Sequence, residues 1–233
     1  MTERFDDQMT SQVASVRGTG DRIDMIAALS EMEAYWNELR GDRRLPQRRN
    51  VDPGRIGQAL SSAFLIQRVA PGVARIRVAG ERLSALLGME ARGMPLTAFF
   101  SAEARVIVTD HITRLFDEPS IIELPVMSRR GLGRPKLAGR MLILPLIGED
   151  GLVSAALGAL IVDGTVGTAP RRFDIAPGRM RCEEVHSTRI NDLHKQILSR
   201  SGALRDPSAS MDNLDAVMTD SERPYLRLVV NNG

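Results

Sequence analysis

Apolar residues change their spacing along the chain, and each change marks an element. From Asp21 to Leu39, Ile23, Ile26, Ala27, Met32 and Leu39 recur at roughly helical intervals, which predicts an N-terminal helix. Ser30 followed by Glu33 is a capping-box pair, so a restart is expected there. Asp52-Pro53 reads as an N-cap followed by proline at the first helical position, opening a short helix to about Leu60. The period then drops to two. Residues 63–69 are branched and aromatic, Pro71-Gly72 is a turn, and 75–79 alternates polar with apolar, so 63–79 predicts a β-hairpin. Leu83, Leu86 and Leu87 share one face of a short helix that Gly88 stops. Ser101 caps a longer helix, 103–116, with Ala104, Ile107, Val108, Ile112 and Leu115 as its apolar set. Three strands follow, at 121–127, 137–146 and 153–162, separated by a glycine-rich turn at 129–135 and by Glu149-Asp150-Gly151. Pro125 and Pro145 mark edge or bulge positions in them.

Two strands, a helical insertion and a three-strand meander predict an α+β fold: a five-stranded antiparallel sheet with helices on one face. The ends read differently. Residues 1–20 are polar and are expected to be a disordered tail, with the folded domain and its helical extension at 21–165. Residues 166–233 are expected to be a linker and a largely flexible tail. Within it, 183–200 carries a weak helical pattern, 201–223 is polar, and Tyr225–Val230 is strand-like.

Composition narrows the function classes. Hydrophobic residues are 43% of the 233, enough for a core, but aromatics are only 4%, so the core must be mainly aliphatic. The 31 basic and 29 acidic residues are interleaved, and lysine occurs only at 136 and 195; no concentrated basic face is expected, hence no nucleic acid. A single cysteine, Cys182, precludes an intramolecular disulfide. The polar N-terminus is not a signal peptide, and no apolar run approaches the length of a membrane span, so a cytoplasmic protein without a membrane anchor is expected.

Several short segments carry a resemblance. They are Trp36-Asn-Glu-Leu-Arg-Gly41, Arg44-Leu-Pro-Gln-Arg48, Asp52-Pro53, Arg77-Val-Ala-Gly80 with Glu81-Arg82-Leu83, the Gly88 stop, Ile143-Leu-Pro-Leu146 and Leu157-Gly158. In combination, over about residues 31–165, the chain resembles the PAS-like domain family of alphaproteobacteria (PAS_5), long catalogued as a domain of unknown function. The resemblance implies a PAS fold and a sensory or regulatory role. It implies no particular ligand, so any cofactor is unknown.

Candidate chemistry is sparse. The expected pocket lies between sheet and helices, where Ile76, Val78, Leu86, Met94, Phe100, Ile107, His111, Met141 and Leu157 are candidates to converge. Core packing is the plain alternative for most of them. His111, on the long helix, is the candidate ligand if the pocket holds haem. Arg44 and Arg48 have the spacing of an anion contact, including one to a cyclic dinucleotide, against the alternatives of a solvated linker or an ion pair with Asp52. Cys182 and His186 have the i, i+4 spacing of a helical ligand pair, but His194 is eight residues on and all three fall in a weakly patterned tail, so no metal site is assigned. No nucleophile elbow or phosphate loop is present, and no catalytic residue is assigned. The expected protein is a non-enzymatic regulator working through protein–protein contacts. It is expected to be a homodimer formed through helix 21–39, with other protein partners docking on the C-terminal peptide. A small-molecule receptor is the alternative.

Overall fold

The computed structural model describes residues 24–186. All of them fall in the first of two units, and the second, Leu193–Gly233, lies outside the described residues. Helix α1 occupies 24–40, followed by 3-10 turns at Arg48–Asn50, Pro53–Arg55 and Gly57–Ser62. Strands β1 (Ala63–Ala70) and β2 (Val73–Ala79) form the hairpin; α2 (Glu81–Leu87), a 3-10 turn (Leu96–Phe99) and α3 (Ala102–Asp117) form the insertion. The meander is β3 (Ser120–Ser128), β4 (Leu137–Ile147) and β5 (Val153–Asp163), and two short strands follow, β6 (Asp174–Ile175) and β7 (Arg181–Glu184).

The seven strands make one antiparallel sheet in the order β2-β1-β5-β4-β3-β6, with β7 also on β3. The central hairpin of β4 and β5 runs from Ala138↔Asp163 to Ile147↔Val153. Local chemistry explains the boundaries. Gly88 is left-handed (φ 73) at the end of α2, a conformation glycine adopts without Cβ strain. Ser101 Oγ accepts from Ala104 N at 3.3 Å at the start of α3. Asp52 caps its 3-10 turn by accepting from Gly54 N at 2.9 Å. The two prolines obey the edge rule inside the sheet. Pro125 falls between the stretch of β3 paired with β7 and the stretch paired with β6, and Pro145 lies beyond the last β3–β4 pair, Ile122↔Ile143.

Each face of the sheet has its own core. On the inner face, α2, α3 and the Leu96–Phe99 turn bury Phe64, Ile66, Ile76, Leu83, Leu86, Phe99, Phe100, Val108, Ile112, Met141 and Ile143. On the outer face, α1 lays Met25, Ala28, Leu29, Met32, Tyr35 and Trp36 over Leu142, Leu144, Leu146, Leu157 and Ala159. Helices thus cover both faces, where the sequence pattern had suggested one. The α1 stripe also differs from the expected one: Ile26 and Ala27 face solvent, and the helix runs unbroken through Ser30. The 3.6-residue period admits more than one apolar stripe, and the packing selects the one that contains Trp36.

The stretch expected to be a linker from 166 on belongs to the sheet as far as 186. Phe173 is fully buried, Phe173 N donates to Phe99 O at 2.8 Å, and Val185 N donates to Pro119 O at 2.8 Å. Residues 183–184 are strand, not helix. The expected tails at 1–20 and 201–223, the Tyr225–Val230 peptide and His194 lie outside the described residues.

Candidate functional site

The nine pocket candidates divide among three environments. Ile76, Leu86, Phe100 and Met141 meet in the inner core, and Met94 packs half-buried against it. Ile107 is 41% exposed, and His111 sits on the same flank of α3, its Nδ1 2.9 Å from Ile107 O. That flank is not the inward one, which carries Val108 and Ile112, so His111 does not present a ring to the interior. Val78 and Leu157 face the other side of the sheet altogether.

The reason for Val78 is a β-bulge. Leu65 pairs with Val78 but the next residue, Ile66, pairs with Ile76, so Arg77 is an extra residue in β2. An inserted residue reverses the alternation. Ile76 therefore points to the helices, while Val78, two residues on, points away and is 54% exposed. Leu157 was misplaced for another reason: β5 is buried on both faces and reads as one apolar run, so alternation does not say which residue goes where.

The inner space is occupied by the protein's own side chains. Phe64, Phe99, Phe100, Phe173, Leu83 and Leu96 are each at most 1% exposed within it. An apolar groove of about 360 Å³ opens on the outer face. Its floor is one row of the sheet, Val78, Leu65 and Leu157, in register across β2, β1 and β5. Its wall is Val51, Pro53, Ile56 and Leu60. Glu81 is its one ionisable side chain. Helix α1 holds the wall in place. Tyr35 Oη accepts from Asp52 N at 2.7 Å, Arg55 lies 5.0 Å over the Tyr35 ring, and Arg55 Nη2 meets Glu38 Oε2 at 2.7 Å. The hydrogen bond that Arg55 donates to Glu38 raises the Arg55 pKa, keeping that guanidinium charged. Sequence reading missed Ile56, Leu60 and Leu65. The available signal was Leu60, a large apolar residue just before the hairpin, and Val78 in its second strand.

The two candidate anion contacts do not come together as a cradle. Arg44 Nε donates to Val185 O at 2.7 Å and its Nη2 meets Glu184 Oε1 at 3.4 Å, so it clamps the end of β7. Arg48 pairs with Glu149 at 3.2 Å, across from the β4–β5 turn, and not with Asp52. Cys182 and His186 lie on and just past a strand, where four-residue spacing does not give the shared face it gives on a helix. No cluster of three metal-ligating side chains occurs among the described residues.

The segments that carried the family resemblance are joined to each other in space. Trp36 Nε1 donates to Pro145 O at 2.9 Å, tying the first segment to Ile143–Leu146. Ile147 N donates to Pro46 O at 2.9 Å. A Cβ on Gly80 would collide with the Ser61 carbonyl, and one on Gly158 with the Phe64 ring, so both glycines are sites of close approach. No helix among the described residues is long and apolar enough to cross a membrane. No curated protein matches the chain. The PAS_5 family model, described as a PAS domain, matches residues 25–161, from the first buried residue of α1 to two residues before the end of β5. The match spans more than half of the chain and both layers of the sheet, and the chain belongs to the PAS domain family.

Proposed function

We propose that this protein is a non-catalytic PAS regulatory module that signals through protein surfaces, and that its first contact is a second copy of itself across the β1–β2 groove. The family supplies the sensory or regulatory role. One observation carries the rest: the inner face is filled by the chain's own phenylalanines and leucines, while the apolar opening lies outside, where α1 stops covering the sheet. A mainly apolar patch whose one ionisable side chain is Glu81 suits a like patch, since apolar area meets apolar area and a single carboxylate per copy is readily kept at the solvated rim. The lining offers no acid–base pair for proton transfer. Helix α1 spends its buried stripe on its own sheet, so the groove is the surface better suited to self-association.

Native mass spectrometry of the full chain, with Val78→Asp and Leu60→Asp beside it, tests this. Val78 and Leu60 are half exposed, so neither change should unfold the chain. The expected result is a dimer for the parent and monomers for both variants. A monomeric parent, or a dimer untouched by both substitutions, overturns the self-association. A small-molecule mass retained by the native protein and lost on denaturation overturns the closed interior and favours a receptor.

A further inference from the structure

The β3–β4 loop (129–136) and the chain that leaves β5 (164–173) interlock at one corner of the molecule. Gly133 and Gly167 both have positive φ, 65° and 63°. A Cβ at Gly133 would stand 2.7 Å from Thr168 Oγ1, and one at Gly167 2.5 Å from Gly133 O. Thr168 N donates to Gly133 O at 2.8 Å, and Arg134 Nε donates to Thr168 O at 3.2 Å. Residues 171–173 then run beside 99–101, with Ser101 N donating to Phe173 O at 3.0 Å.

This packing gathers four guanidinium groups. Arg171 is 1% exposed and donates only to neutral oxygens: Ser128 Oγ at 3.1 Å, Val166 O at 2.5 Å and Pro135 O at 2.5 Å. Arg172 Nη1 donates to Arg171 O at 3.3 Å, and Arg105 Nε to Phe100 O at 3.3 Å. Arg105, Arg134 and Arg172 are exposed, and one bond to a carbonyl leaves most of each fork open. Burial first, then repulsion, lowers the pKa of Arg171 and Arg172; Arg134 repels both, and Arg105 repels Arg172.

Eight arginines elsewhere among the described residues are neutralised, while others, such as Arg75 and Arg77, donate singly to neutral oxygens. Arg44, Arg48, Arg55, Arg68, Arg114, Arg129, Arg140 and Arg181 all pair with carboxylates. The four at this corner form no ion pair among the described residues. The neighbouring carboxylate, Asp174, is taken by Ser101 Oγ at 2.5 Å and Arg129 Nε at 3.1 Å. A guanidinium keeps its charge even when buried, so the corner holds a positive field that nothing in the fold discharges.

We propose that the corner formed by Arg105, Arg134, Arg171 and Arg172 is a binding site for a small phosphate-bearing anion with more than one negative charge, a diphosphate group being its simplest form. Arginine forks match phosphate oxygens in pairs, and several like charges crowded together favour a multiply charged ligand over a single chloride. Arg171 sets the buried charge and orients the loops; Arg134 and Arg172 offer the free donors. Glu103 and Asp174 flank the corner, so an extended polyanion crossing it would meet carboxylates. That favours a compact ligand over a nucleic-acid strand.

The test is isothermal titration of the full chain with inorganic pyrophosphate, paired with thermal unfolding in pyrophosphate and in sodium chloride of equal ionic strength. Saturable binding and a rise in Tm with pyrophosphate but not with chloride are expected. Arg134→Ala with Arg172→Ala should weaken binding by about tenfold or more, as the loss of charge-assisted bonds implies, with the ligand-free Tm little changed. Arg49→Ala, an exposed change elsewhere, should leave affinity unaltered. Equal stabilisation by chloride, or equal affinity in the double variant, overturns the site. Binding of a single-stranded oligonucleotide that pyrophosphate fails to displace overturns the small-ligand assignment.

Discussion

The two faces of the sheet are built from similar side chains and reach different ends. The inner face is closed along its length: α2, the Leu96–Phe99 turn and α3 cover it from β2 to β3. The outer face is closed only over β3, β4 and β5, where α1 lies, and β1 and β2 are left with Leu65 and Val78 beside a short 3-10 wall. Both faces bury a continuous apolar core with aromatic residues in it, so the kind of side chain does not distinguish them. What distinguishes them is the extent of cover. A single helix about 17 residues long, at 1.5 Å per residue, is too narrow to shield five strands spaced nearly 5 Å apart. Interaction is therefore expected where the second layer ends, and ligand-sized space is not expected where it is complete.

The strongest way to break this contrast is to remove the residue that fastens the outer layer. Trp36 is fully buried, and its indole N–H is the hydrogen-bond partner of the Pro145 carbonyl. Trp36→Ala should cost ~3–5 kcal/mol in urea unfolding, from cavity formation and a buried carbonyl left unpaired. If it costs no more than an average surface substitution, α1 is not an integral second layer.

Next in size is a change between the faces. Gly158 of β5 has the Phe64 ring on one side, and an added Cβ would stand 2.6 Å from Leu142 O. Gly158→Ala should lower stability by about 1–3 kcal/mol through overpacking, read as a fall in Tm. A neutral result would mean that the inner face has slack, and the closed-interior reading would lose its basis.

The edge near β7 offers a smaller effect. Arg181 Nη1 donates to Glu33 Oε1 at 3.0 Å, linking β7 to α1, and this hydrogen bonding to Glu33 raises the Arg181 pKa. Glu33→Gln should cost about 1–2 kcal/mol, since both groups are partly shielded from water. Hydrogen exchange at residues 181–184 should rise more than at β4; equal changes in both would show that the pair does not hold this edge.

The smallest effect belongs to the β4–β5 turn. Asp150 accepts from Ser154 Oγ at 2.8 Å and from Leu152 N at 3.0 Å, and these bonds, Ser154 first, lower its pKa. A depressed carboxylate stabilises the fold above the ordinary aspartate range, and that contribution is lost as pH falls through its own lower midpoint. An NMR titration should place Asp150 below a typical aspartate, and Ser154→Ala should move it upward. No movement would assign the shift to the backbone bond alone.

Elements whose signal is local were legible in the sequence. The hairpin at 63–79, the Gly88 stop, the Ser101 cap and the three meander strands appear within a residue or two of their expected limits. Their determinants are caps, turns and periods that act over a few residues. The family resemblance was legible too, because its segments meet in space: Trp36 on Pro145, Gly158 against Phe64, Gly80 against Ser61.

Three features were decided only by the tertiary structure. A bulge of one residue at Arg77 sends Val78 to the opposite face from Ile76, and alternation cannot report a bulge before the partner strand is known. Residues 171–186 join the sheet through Phe173, β6 and β7, although their short polar stretches look like a linker. Which arginines meet a carboxylate, and which crowd together where the 129–136 loop packs on residues 164–173, is likewise set by the fold. Sequence determines what each residue can bond; only the fold determines which charge is met and which is left open, because Coulomb energy depends on distance in space and not along the chain.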